Sequence, residues 1–146
     1  MKALIQRVKK AHVDVEGSTV GKIHSGILAL IGVEREDTTA KAEQLLNKIC
    51  RYRIFNDDNG KMNLSLNDIQ GELLLVSQFT LVADTQKGNR PGFSHGASPE
   101  HGEFIFNELI KLAKKTNLKI QTGQFGADMQ VTLVNDGPVT FWLESK

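Results

Sequence analysis

The reactions open to this chain are narrowed by how few reactive side chains it carries. Its histidines are His12, His24, His95 and His101, and no two have the i, i+4 spacing that puts two zinc ligands on one helix face. Cys50 is the single cysteine, so neither a thiolate cluster nor an internal disulfide can form. It falls beside the apolar face of a predicted helix and reads as a small hydrophobe rather than a nucleophile. There is no G-x-S-x-G elbow, no P-loop and no G-x-G-x-x-G. Among the histidines only His95, in a glycine-rich loop, is kept as a candidate. Two stretches remain. Ser77-Gln78-Phe79-Thr80 sets polar side chains into a segment that otherwise reads as core. A buried polar group without a partner costs about 1–3 kcal/mol, so these groups either bond one another or face a cleft. Asn135-Asp136-Gly137-Pro138 holds one of the three prolines and reads as a hairpin turn between two strands. X-Pro is also where a cis peptide is cheap, about 0.5–1 kcal/mol from trans.

The bulk composition sets the frame. A chain of 146 residues with 40% hydrophobic and 24% charged residues fits one soluble domain with a real core, here residues 1–146. The formal net charge of +1 argues against wholesale non-specific nucleic-acid binding, which usually shows a basic excess, and leaves room for a local basic patch. The start of the chain lacks the apolar core of a signal peptide. No apolar run approaches the roughly 20 residues of a membrane helix. With the lone cysteine, this gives the expectation of a cytoplasmic protein without membrane contact.

The elements that must position the two stretches follow from periodicity. Ala3–Val8, His12–Glu16 and Thr19–Ile23 read as short strands, the latter two as a hairpin. Gly26–Val33 is almost continuously apolar, as a strand buried on both faces would be. Asp37 or Thr38 can cap a helix to about Tyr52, with Ala42, Leu45, Leu46 and Ile49 on one face. Arg53–Phe55 is a short strand. Asn56–Gly60 is dense turn chemistry, and it lacks the acidic twelfth residue of a calcium loop. Glu72–Ala83 is the strongest strand. Ser98 and Pro99 start a second helix, to about Thr116. Leu118–Gln121, Met129–Val134 and Val139–Leu143 complete the strands. The order β-β-β-α-β-β-α-β-β-β has too few helices for a crossover at every strand. It predicts an α+β domain: a mainly antiparallel, barrel-like sheet with two main helices.

Ser77-Gln78-Phe79-Thr80 and Asn135-Asp136-Gly137-Pro138-Val139-Thr140 resemble the two signature motifs of the D-aminoacyl-tRNA deacylase family. The opening Ala3–Val8 is similar to the family's start. So are Arg53–Phe55, Lys61–Asn63, Gly71–Leu74, Ala83–Thr85 and Gly126–Val131, in order along essentially the whole chain. Departures are Gly92, where the family commonly has Ser, and Gln124, where it often has Arg.

The resemblance implies hydrolysis of the ester joining a D-amino acid, or glycine, to the terminal adenosine of tRNA. It implies a homodimer with active sites at the subunit interface, and neither metal nor cofactor. Ser77, Gln78, Phe79 and Thr80 would line the catalytic site, with backbone N–H groups stabilising the oxyanion. Thr80 matches a residue proposed as nucleophile, yet no base is evident beside it in sequence. Hydrolysis assisted by the ribose 2′-OH is the expectation that fits this lack. Gly137 and Pro138 would form a cis pair that enters the partner's pocket and excludes L side chains. Arg7 would hold that pair, and Met129 is grouped with the substrate-binding residues. Lys87–Arg90 would contact phosphate. Two other readings are a small-molecule serine-type esterase using Ser77 and a non-catalytic tRNA-binding module. A bland oligomerisation domain would use the Gly-Pro turn only as a turn.

Overall fold

A computed structural model describes all residues, Met1 to Lys146. The spine is β1 (Lys2–Val15), followed by β2 (Ser18–Ile23) and β3 (Gly26–Gly32). Then come α1 (Thr39–Arg51), the short pair β4 (Phe55–Asn56) and β5 (Met62–Leu64), and a single turn, α2 (Leu66–Ile69). β6 (Glu72–Ser77) leads into a 3₁₀ turn at Phe79–Val82, then α3 (Pro99–Lys114), β7 (Lys119–Thr122) and β8 (Gln130–Glu144).

The sheet runs β2-β1-β3-β6-β7, with β8 also on β1. Along one edge of β1, residues 2–8 pair with β3 and residues 11–15 with β2, both antiparallel; β8 takes the other edge, also antiparallel. β3–β6 and β6–β7 are parallel, joined by crossovers that carry α1 and α3. The far edges approach each other, Lys22 N donating to Gln121 Oε1 at 3.3 Å. The α+β barrel-like reading with two main helices is therefore found, with parallel pairing on the β6 side.

β3 is buried on both faces, as its unbroken apolar run requires. Ile27, Ala29 and Ile31 pack under α1 and α3 with Leu45, Ile49, Ile105 and Leu109. Leu28 faces the barrel interior with Val8, Val13, Leu74 and Val76. Cys50 is part of the helix-side core, and burial pushes its thiol up to about 11, so it is no nucleophile near neutral pH. The helix starts are those expected. Thr38 accepts from Lys41 N at 3.3 Å, and Ser98 from His101 N at 3.2 Å, ahead of Pro99.

Three expectations fail. Ala3–Val8 and His12–Glu16 are not separate strands, because the exposed Lys9 and Lys10 continue β1 unbroken. The strand from Glu72 ends at Ser77, so Gln78 to Ala83 lie outside the sheet. Asn135–Pro138 is not a hairpin: the chain does not reverse, and both expected flanking strands belong to β8. β4–β5, with α2 behind it, is a small hairpin of which only its first strand was anticipated.

Candidate active site

The first stretch is set by the end of β6. Gln78 N makes the last sheet bond, to Ile31 O at 2.7 Å. The backbone then tightens, with Leu81 N donating to Gln78 O at 3.2 Å and Ala83 N to Thr80 O at 3.2 Å. The turn rests directly on the end of β3. A Cβ added at Gly32 would stand 2.9 Å from Val82 Cγ1 and 3.0 Å from Leu81 Cβ, so any side chain there would push the turn away. The first N–H groups of a helical turn have no carbonyl behind them. Here Phe79 N–H and Thr80 N–H have no acceptor within the chain, and Gln78 offers no side-chain cap.

These two donors lie between two depressions. One, of about 470 Å³, is lined by Ser77, Gln78, Phe79, Phe125 and Met129 and by the first turn of α3. The other is an open groove of about 870 Å³ lined by Thr80, Asp84, His95, Arg35 and Trp142. The nature of Thr80 follows from its neighbour. Its hydroxyl is hydrogen-bonded to the side-chain amide of Gln78, and an amide is no base in either orientation. Ser77 Oγ has no side-chain partner. His95 lines the groove with Thr80 but does not bond it. Neither hydroxyl is hydrogen-bonded to the base that nucleophilic attack needs; Asp128 lines the cavity with Ser77, and Asp84 and His95 line the groove with Thr80. No three of the His, Cys, Asp and Glu side chains gather where a metal ion could be held.

The second stretch is a bulge inside β8. On β1, Gln6 pairs with Thr140 and Val8 with Asn135. Residues 136–139 therefore have no partner on β1 and are pushed out of the ladder. The Gly137–Pro138 peptide is cis, and both residues are exposed. The Asn135 side chain clasps the base of the bulge. Its Oδ1 accepts from Val139 N at 2.7 Å and its Nδ2 donates to Thr140 Oγ1 at 2.9 Å. A Cβ at Gly137 would lie 2.6 Å from Val139 N, so no other residue fits unchanged.

Arg7 supports the bulge from beneath. It is only 8% exposed. Its Nε donates to Asp136 O at 2.8 Å and its Nη1 to Ile54 O at 2.8 Å, with Asn56 Oδ1 at 3.5 Å. The Asp136 carboxylate is 3.8 Å away. A buried guanidinium is tolerated only with its donors occupied. Arg7 thereby ties β1, the segment before β4 and the bulge together. Nothing in the sequence pattern assigned these partners, because they come from residues 47 and 129 positions away.

Ser77, Gln78, Phe79 and Met129 thus share one cavity, and Thr80 faces the adjoining groove. Gly137, Pro138 and Arg7 line neither. Phe125, absent from the expected set, lines the cavity and stacks with Phe106 at a ring-centroid distance of 6.2 Å; as a lone aromatic in a loop it carried no signal in the sequence.

A family model described as D-Tyr-tRNA(Tyr) deacylase matches residues 4–144. The D-aminoacyl-tRNA deacylase of Alteromonas mediterranea is 60% identical over 141 residues, covering 97% of both chains. That of Thermosipho africanus is 56% identical over 146 residues, covering 100% of this chain and 98% of its own. Among solved structures, a c-Myc DNA unwinding element binding protein superposes with TM-score 0.94 at 42% identity, covering 100% of this chain and 99% of its own. A probable eukaryotic D-amino acid tRNA deacylase superposes with TM-score 0.83 at 14% identity over 98% of each chain, a likeness of fold alone. The chain is, on these likenesses, a hydrolase acting on ester bonds. It belongs to the D-aminoacyl-tRNA deacylase family.

Proposed function

We propose that this protein hydrolyses the ester bond of D-aminoacyl-tRNA, releasing the D-amino acid and free tRNA. The observation that carries the reading is the pair of unbonded N–H groups, Phe79 and Thr80, at the lip of an apolar cavity. The terminal adenosine takes the cavity with Phe125 and Met129, and the ester carbonyl points at the two N–H groups. When water adds to that carbonyl, negative charge builds on its oxygen. Two fixed amides then stabilise it by about 2.7–4 kcal/mol per good donor. With no base hydrogen-bonded to Ser77 or Thr80, the vicinal 2′-OH of the ribose takes the part of activating the water, and the protein contributes positioning.

Stereoselection lies with Gly137–Pro138. The bulge is too far displaced to line its own chain's cavities, which supports its acting on a second copy. β8 has β1 on one edge and nothing on the other, and it exposes Val131, Val134 and Trp142. A homodimer formed over this strand would seat each bulge in the partner's site. Backbone there leaves no room for an L side chain and passes a D residue or glycine, so selection works by exclusion. Glycyl-tRNA is then a second substrate.

The test is deacylation of D-Tyr-tRNA beside L-Tyr-tRNA. Rapid loss of the D ester with the L ester spared is expected; equal rates would overturn the filter. Heterodimers locate it. A chain with Pro138→Ala, paired with one whose 79–80 donors are disabled, keeps D selectivity if the filter acts across the interface and loses it if the filter acts within its own chain.

A further inference from the structure

Phe79 is 64% exposed and Phe93 46% exposed, and the two rings lie against each other at 5.3 Å between centroids, tilted by 48°. This is a large apolar surface at the mouth of the cavity. The backbone holds Phe93 in place. Asp84 and Gly92 exchange two bonds, N to O at 2.7 and 3.0 Å, and Gly96 N donates to Phe93 O at 3.2 Å. The intervening segment is thereby pinched into a loop whose exposed far end carries Lys87 and Arg90. Neither cation pairs with a carboxylate. Behind Phe93, Arg35 Nη2 donates to Ser94 O at 2.5 Å. An exposed aromatic face with unpaired cations beyond it is the arrangement that takes single-stranded nucleic acid, bases on the rings and phosphates on the cations.

We propose that Phe93 is a stacking platform for the nucleotide preceding the terminal adenosine of the tRNA, with Lys87 and Arg90 against the phosphates on the 5′ side of that nucleotide. This rests on the reading of the cavity as the adenosine site. It adds that recognition extends at least one nucleotide beyond that site, so the enzyme distinguishes a tRNA end from an aminoacyl-nucleoside.

The test compares D-Tyr-tRNA with D-tyrosyl-adenosine, which lacks the preceding nucleotide. Phe93→Ala is expected to raise KM for the tRNA about tenfold, equivalent to about 1.4 kcal/mol, with kcat kept. The rate on D-tyrosyl-adenosine changes less than twofold, and Phe93→Trp restores the tRNA KM. Equal losses on both substrates would mean that Phe93 only props Phe79, and no change on either would mean that it touches no substrate; both overturn the proposal. So does a dimer weakened by Phe93→Ala, which would assign the ring to the second copy. A readout independent of turnover is a short RNA ending in CCA with 2-aminopurine at the penultimate position. Its fluorescence is quenched on binding to the unaltered protein and not to Phe93→Ala. Binding without quenching overturns the stacking even if the chain proves not to be a deacylase.

Discussion

The stretches at 77–80 and 135–140 are both places where a strand gives up its ladder, and they do so in opposite ways. After Ser77 the chain leaves the sheet and tightens into a turn, which strips two N–H groups of their acceptors. At Asn135 the chain stays in the sheet and pushes four residues out of it, while the strand resumes at Thr140. The first is fixed by apolar packing on Gly32. The second is fixed by polar clasps from Asn135 and Arg7. One presents hydrogen-bond donors and the other presents bulk. In the proposed mechanism neither stretch relies on a titrating side chain: the first would accelerate the reaction and the second would choose its substrate.

The largest effect should come from removing a donor. Phe79→Pro takes away one N–H at the first position of a helical turn, where proline is otherwise accommodated. Measured against Phe79→Ala, which keeps the N–H, kcat should fall about 10²–10³-fold. A smaller loss would take the oxyanion role from this turn. The bulge comes next. Gly137→Ala must displace Val139, and the ratio of D to L hydrolysis should fall with kcat on the D ester changing less than the ratio does. Arg7→Lys tests the same seat: an ammonium cannot span Asp136 O and Ile54 O with the fork of a guanidinium. Leaving a buried carbonyl unpaired costs about 1–3 kcal/mol, read in urea melts as well as in selectivity. Thr80→Ala should keep kcat within about tenfold, since a hydroxyl without a base adds little; complete inactivity in a folded protein would restore it as nucleophile.

The smallest effect concerns the hairpin beneath Arg7. Asp57 accepts from Asn63 Nδ2 at 2.9 Å and from Lys61 N at 3.0 Å and Asn59 N at 2.9 Å. The Asn63 bond is the chief reason its carboxyl sits below the ordinary 3.8. The unfolded chain therefore takes up the proton first as pH falls. The stabilisation is complete above the unfolded value and is lost on acidification through the folded one. Asp57→Asn should lower the melting temperature slightly at neutral pH, with the two proteins converging as pH falls to about 3, so that the variant's acid limb is flatter.

Local chemistry was legible in the sequence where it is decided locally. Thr38, Ser98 and Pro99 start helices by bonds to their own next turn, and the apolar run at 26–33 needs two covered faces wherever it lies. The failures are all questions of register. Asn-Asp-Gly-Pro has the same turn chemistry in a hairpin and in a bulge, and only the pairing with Gln6 and Val8, at the opposite end of the chain, separates the two. Lys9 and Lys10 look like a break because they are exposed beside that same irregularity. The end of β6 at Ser77 is set by where β3 stops offering carbonyls, since Ile31 O is the last one used. Similarly, the 77–80 residues could be named from their resemblance to a family, whereas the free amides that make them useful belong to the backbone and have no letter in the sequence.

The seat of the 3₁₀ turn on Gly32 has a consequence for genetics. Amides anchored by packing survive nearly every change of the side chains they belong to, so a conventional alanine scan across 77–80 would pass over the two groups proposed to hold the oxyanion. Replacing the Phe79 or Thr80 amide by an ester through chemical synthesis deletes one donor and keeps every side chain. Inactivating changes should collect instead at Gly32, Leu81 and Val82, whose packing seats the turn.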